Sequence, residues 1–160
     1  MGERQIKGDN FYLPITYFDK MAKKILRFTD SDDYDFYLIG IVCQQKDYRL
    51  CHELNRHLEL DLTRGNDFEI MNNKRMKTSV FSFFQYLNGD DDVFYIFSNK
   101  GKDDFLIPEQ KSIDYLMIVK ENFKRIDEQE FINTIKKIPI VLGAYSLEVK
   151  KLKSKGNLVF

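Results

Sequence analysis

The sequence predicts an α+β domain in which helices pack on one face of a mainly antiparallel sheet. Three observations predict it. Short runs dense in Phe, Tyr, Ile and Val alternate with amphipathic stretches of helical period. A turn signal separates two of those runs at Asn88-Gly89-Asp90-Asp91-Asp92. The chain has 160 residues, 43% of them hydrophobic, which suits one core and is too short for two. The predicted organisation is a single domain over 1–160, with an arm at 1–13 and a basic tail at 150–160.

The elements follow in order. Thr16 and Asp19 have the spacing of a capping box, with Phe18, Met21, Ile25 and Phe28 forming one apolar face behind them. This predicts an N-terminal helix, ended by Asp30-Ser31-Asp32-Asp33. The stretch Tyr34 to Cys43, with the continuous apolar run Phe36 to Val42 inside it, predicts a strand buried on both faces. Gly40 inside it predicts a bulge or a close approach. Asp47 is the expected N-cap of a helix running to about Leu60, with Leu50, Cys51, Leu54 and Leu58 as its stripe. Residues 61–78 are polar and turn-rich; Arg64-Gly65-Asn66 reads as a loop and 68–71 as a short strand. Val80 to Tyr86 and Val93 to Phe97 predict a hairpin. Ile113 to Val119 predicts a further strand. Asp127 with Glu130 predicts a capped helix, stapled by Ile126 and Phe131 and stopped by Pro139. Ile140 to Leu147 is the last expected strand. With the first helix and one strand set aside, the order reduces to βαββαβ, a ferredoxin-like variant with an extra strand and an N-terminal helix.

Charge and composition exclude several functions. Twenty-five Lys and Arg balance 25 Asp and Glu, so the chain as a whole is not a basic nucleic-acid binder. From Lys111 to the end there are ten basic and six acidic residues, a net +4, leaving −4 for the rest. The charged start lacks the apolar core of a leader, and no apolar run approaches the roughly 20 residues that span a bilayer. The expected location is therefore the cytoplasm, with Cys43 and Cys51 reduced.

No serine elbow, Walker loop, dinucleotide fingerprint or HExxH helix is present. His52 and His57, five apart on a helix, point about 140° away from each other and do not converge on one metal. No metal or cofactor is expected. Cys51 lies on the apolar stripe and reads as a small core residue rather than a nucleophile. The carboxylates of interest are Glu109, held rigidly behind Pro108, and Asp114, opening an apolar strand. Two carboxylates in one cleft suit acid–base work if their environments separate their pKa values. The competing reading is structural: one caps a turn and the other pairs with a base such as Arg49. Lys74-Arg75-Met76-Lys77 and the tail residues Lys150, Lys151, Lys153 and Lys155 are candidates for phosphate or partner contact.

The segment Ile107-Pro108-Glu109-Gln110-Lys111-Ser112-Ile113-Asp114-Tyr115 resembles the signature of the bacterial family named for its IPE…DY motif. Lys46-Asp47-Tyr48-Arg49-Leu50-Cys51, with Leu54-Asn55 after it, and the ending Lys151 to Phe160 are similar to the same family. The resemblance covers the chain from about residue 34 onward. It implies a small bacterial cytoplasmic protein, and it brings no catalytic residue or cofactor to these positions. It groups Arg49, Pro108, Glu109, Asp114 and Tyr115, and the expectation is that Arg49 pairs with Glu109 or Asp114. The functional expectation is a non-catalytic protein-binding or adaptor module with an unidentified protein partner. The alternatives are an enzyme using Glu109 and Asp114, or an RNA-contacting domain.

Overall fold

The computed structural model describes residues 36–72, 76–87, 93–120 and 127–158. All of them belong to one compact unit, Asp30–Leu158. The expected arm at 1–13, the helix beginning at Thr16, the basic pair Lys74-Arg75, the turn at 88–92, the staple residue Ile126 and the final Val159-Phe160 lie outside the described residues.

The architecture is α+β. Strand β1 (Phe36–Val42) is followed by helix α1 (Asp47–Leu58), then β2 (Thr63–Arg64), β3 (Phe68–Asn72), β4 (Lys77–Phe81), β5 (Phe83–Leu87) and β6 (Val93–Ser98). A 3₁₀ turn at Pro108–Gln110 precedes β7 (Tyr115–Lys120), helix α2 (Glu128–Lys136) and β8 (Gly143–Ser146). Two further 3₁₀ turns, Val149–Lys151 and Lys155–Leu158, close the described chain. Six strands form an antiparallel sheet in the order β2-β5-β6-β7-β1-β8, and β3 and β4 form a separate two-stranded sheet.

The apolar run of β1 places it inside the sheet, between β7 and β8, where both of its faces are covered. Its odd residues Ile39 and Ile41 stand opposite Met117 and Tyr115 of β7 and share a core with Phe94 and Ile96 of β6. Leu50, Cys51 and Leu54 of α1 and Phe131, Ile132 and Ile135 of α2 close over that core, so both helices pack on one face. The opposite face buries Leu38, Leu116, Ile118 and Phe97. There Phe68 meets Phe97 edge-on at 5.4 Å, which joins the small hairpin to the main sheet. Gly40 also belongs to this face. A Cβ on it would come within 2.9 Å of Ile113 and 3.1 Å of Leu147, so the glycine marks a close approach by two side chains.

Several boundaries differ from expectation for local physical reasons. Asp47 is the first helical residue, not the cap: Lys46 holds the extended cap position without a side-chain bond. The Asp47 carboxylate instead accepts from Tyr48 N at 2.7 Å and pairs with Arg64 at 3.2 Å. The helix stops at Leu58 because Glu59 turns left-handed at φ 53°. The run expected as one strand from Val80 to Tyr86 is two, broken at Ser82. Ser82 N donates to Ser98 Oγ at 2.9 Å and its carbonyl accepts from Ser98 N at 3.0 Å. The chain thereby leaves β3 and joins β6. Arg64, expected in a loop, is paired with Phe84 at the sheet edge, with its guanidinium 5.3 Å from that ring. Asp127 does cap α2, accepting from Glu130 N at 3.0 Å. The last strand is shorter than expected, since Val141 N bonds back to Ile138 O in the turn after Pro139.

Candidate functional site

The motif segment sits in a long connection between β6 and β7, and its organiser is Asn99. This side chain is fully buried. Its amide donates to Gln110 O at 2.8 Å and Ile113 O at 2.9 Å, and its carbonyl oxygen accepts from Ile107 N at 2.7 Å. Its backbone joins Asp114 O and Leu106 N. An asparagine satisfied on both ends can be buried at no unpaired cost, and here it folds the connection around itself. Leu106 and Ile107 are buried beside it, and Pro108 starts the 3₁₀ turn with its φ already fixed.

Each polar residue of the motif then holds a different piece of backbone. Asp114, just before β7, accepts from Cys43 N at 2.9 Å, while its own N–H bonds Ile41 O at 3.0 Å. It fastens the end of β1. Tyr115 is buried, and its hydroxyl donates to Gln45 O at 2.6 Å, fastening the connection into α1. Burial above all, and then the charge of Asp47, pushes its phenol far up, so it stays a donor. Glu109 is exposed and accepts from Ser154 N at 2.8 Å. Partial burial pushes its carboxyl up, and hydrogen bonds from Ser154, its own amide and Lys153 outweigh that, so the net shift is downward.

Ser154 belongs to the predicted tail. Residues 147–158 form a strap laid along the domain rather than a free tail. Val149, Leu152 and Leu158 are buried, and Asn157 Nδ2 donates to Leu106 O at 2.8 Å. Lys150, Lys151, Lys153 and Lys155 remain exposed on its outer side. Lys151 pairs with Glu148 at 2.8 Å.

The expected partnership of Arg49 with a motif carboxylate is corrected. Arg49 is exposed on α1, and among the described residues neither Glu109 nor Asp114 bonds it. The reason is that backbone N–H groups already fill those roles. The two carboxylates do not meet in the groove beside the motif turn either. An open groove of about 360 Å³ lies between the motif turn and the strap. Glu109 and Gln110 line one side of it, and Leu147, Lys151, Leu152 and Lys153 line the other. Asp114 is not among its lining residues.

Cys43 and Cys51 are both free and buried. Burial first, then the charge of Asp47, pushes the Cys51 thiol up to about 12, and burial raises Cys43 too. Neither has the depressed pKa of a nucleophile. His57 lies 3.5 Å from Glu53 one turn away on α1, and His52 is exposed on the same helix. Among the described residues no group of three His, Cys, Asp or Glu side chains gathers to hold a metal. No described helix is long and apolar enough to cross a membrane.

No family model matches the chain, and no curated protein matches it. Sequence reasoning missed Asn99, Ser154 and Asn157. The stretch from Asn99 to Lys102 carries a turn signal, and that signal says nothing of a buried side chain.

Proposed function

We propose that this domain is a non-catalytic protein-binding or adaptor module of the cytoplasm. One observation carries the reading. Glu109 and Asp114 each accept a different backbone N–H group, and they do not meet across the groove that Glu109 borders. Carboxylates used in this way hold a framework and leave the open surface to contacts with a partner. Two free, buried thiols support a reducing compartment.

The fold reading is finer than α+β. The order β6-β7-β1-β8, with α1 between β1 and β6 and α2 between β7 and β8, supports a ferredoxin-like core extended by β5 and β2. The IPE…DY family is the proposed kinship. Its three stretches of resemblance lie together: Glu109 bonds Ser154 in the ending, and Tyr115 bonds Gln45 next to the stretch that starts at Lys46.

Affinity purification of the tagged chain from its host lysate, with and without ribonuclease, tests the proposal. A protein partner held in fixed stoichiometry after ribonuclease treatment is the expected result. Capture that disappears with the RNA, or no partner at all, would overturn it.

A further inference from the structure

We infer that Met71 and Met76, at the end of the β3–β4 hairpin, form a reversible oxidation site whose co-reactant is a peroxide. The inference stands apart from the binding-module reading and rests on where the chain places its sulfur. Met76 is 90% exposed and Met71 is 70% exposed. Met71 stands opposite Thr78, one rung before the end of the hairpin ladder. Met76 comes just before β4, with a left-handed φ of 49°. The other described sulfur atoms are enclosed. Met117 of β7 is fully buried, and Cys43 and Cys51 belong to the same core. Among the described residues, sulfur therefore separates into two exposed thioethers on one hairpin and three buried atoms in one core.

The chemistry favours the same two positions. A thioether has no proton to lose, so its soft lone pair is available without a base. It attacks one oxygen of hydrogen peroxide. The S–O bond forms as the O–O bond breaks, sulfur gives up two electrons, and the other oxygen leaves as water once it has taken the proton. A cysteine must first become a thiolate. Burial opposes that at Cys43 and Cys51, and it screens both from the peroxide. The sulfoxide is polar, which disrupts packing where a methionine is buried. At Met71 and Met76 the side chain already faces water, so the oxygen is added and removed with the fold intact.

Peptide mass spectrometry of the full chain in dilute hydrogen peroxide tests the inference. Met71 and Met76 should each gain one oxygen at a rate within about tenfold of free methionine, with Met117 at least about tenfold slower than Met76, because it reacts only from opened forms. Urea sufficient to unfold the chain should bring Met117 level with the other two. Methionine sulfoxide reductases for both epimers, with dithiothreitol as reductant, should return the pair to thioethers while the dithiol becomes a disulfide and the oxygen leaves as water. M71Q/M76Q, a polar stand-in for the oxidised pair, should move the melting temperature by no more than about 2 °C. Met117 or either cysteine keeping pace with Met76 in the folded chain would overturn the inference. So would a pair slower than the stated range, a Met117 still slow in urea, sulfoxides that the reductases leave in place, or a larger fall in the melting temperature of the variant.

Discussion

Glu109 shows how an exposed carboxylate can be tied into a fold without a basic partner. Its bond to Ser154 N places an anion against a backbone donor, the stronger kind of hydrogen bond. Its pKa lies below the ordinary 4.5 because the bonds from Ser154, Glu109's own amide and Lys153 outweigh the effect of burial. An acid whose folded value lies below its unfolded one adds stability that is present above the unfolded value. That stability is lost as pH falls through the folded value. Glu109→Gln should therefore be less stable than the parent at pH 7, and the gap should close as the pH drops below about 4. Thermal melts across pH 3 to 7 check this; a gap independent of pH would show that the charge does not matter. Asp114 also accepts a backbone N–H, that of Cys43, from a less exposed position. Tyr115 differs, because it holds Gln45 O as a neutral donor.

At the scale of elements, the strap is the piece whose role most changes the reading of the sequence. Val149, Leu152 and Leu158 bury apolar surface on the domain, while Ser154 and Asn157 bond the motif connection. Removing residues 149–160 would uncover that surface, leave Leu106 O without Asn157 and take from Glu109 its bond with Ser154. Amide exchange at Leu106, Ile107 and Gln110 should then quicken about tenfold or more, each tenfold corresponding to about 1.4 kcal/mol of lost protection. Exchange in β1 and β7, held by their own ladder, should change far less. Equal acceleration everywhere would mean that the strap stabilises the whole unit rather than the connection beneath it.

At the scale of the molecule, what was legible in the sequence is what short-range patterning determines. The apolar run of β1 shows its double burial, the period of Leu50, Cys51 and Leu54 shows the buried face of α1, and Asp127 shows the start of α2. These depend on neighbours a few residues apart. The α+β class with a mainly antiparallel sheet follows from their order. The site was less legible because its bonds are long-range. Asp114 reaches Cys43 across 71 positions, Glu109 reaches Ser154 across 45, and Asn157 reaches Leu106 across 51. Each acceptor or donor is also a main-chain group, which every residue carries, so no residue type betrays it. The expectation for Arg49 failed on this point, since it sought a charged partner where the backbone supplied one. The break at Ser82 has the same origin: it is set by Ser98 in another strand.

The connection from Asn99 to Tyr115 is a framework organised by Asn99, in which Asn99, Glu109, Asp114 and Tyr115 each bond backbone groups. Equilibrium urea unfolding of Asn99→Ala tests it most directly. The substitution would strand Ile107 N–H and the Ile113 carbonyl in a buried site, while Gln110 O keeps its bond from Ile113 N–H. A loss of about 2 kcal/mol or more is expected, since each buried group left unpaired costs about 1–3 kcal/mol. A loss below about 1 kcal/mol, the worth of a single ordinary hydrogen bond, would contradict it.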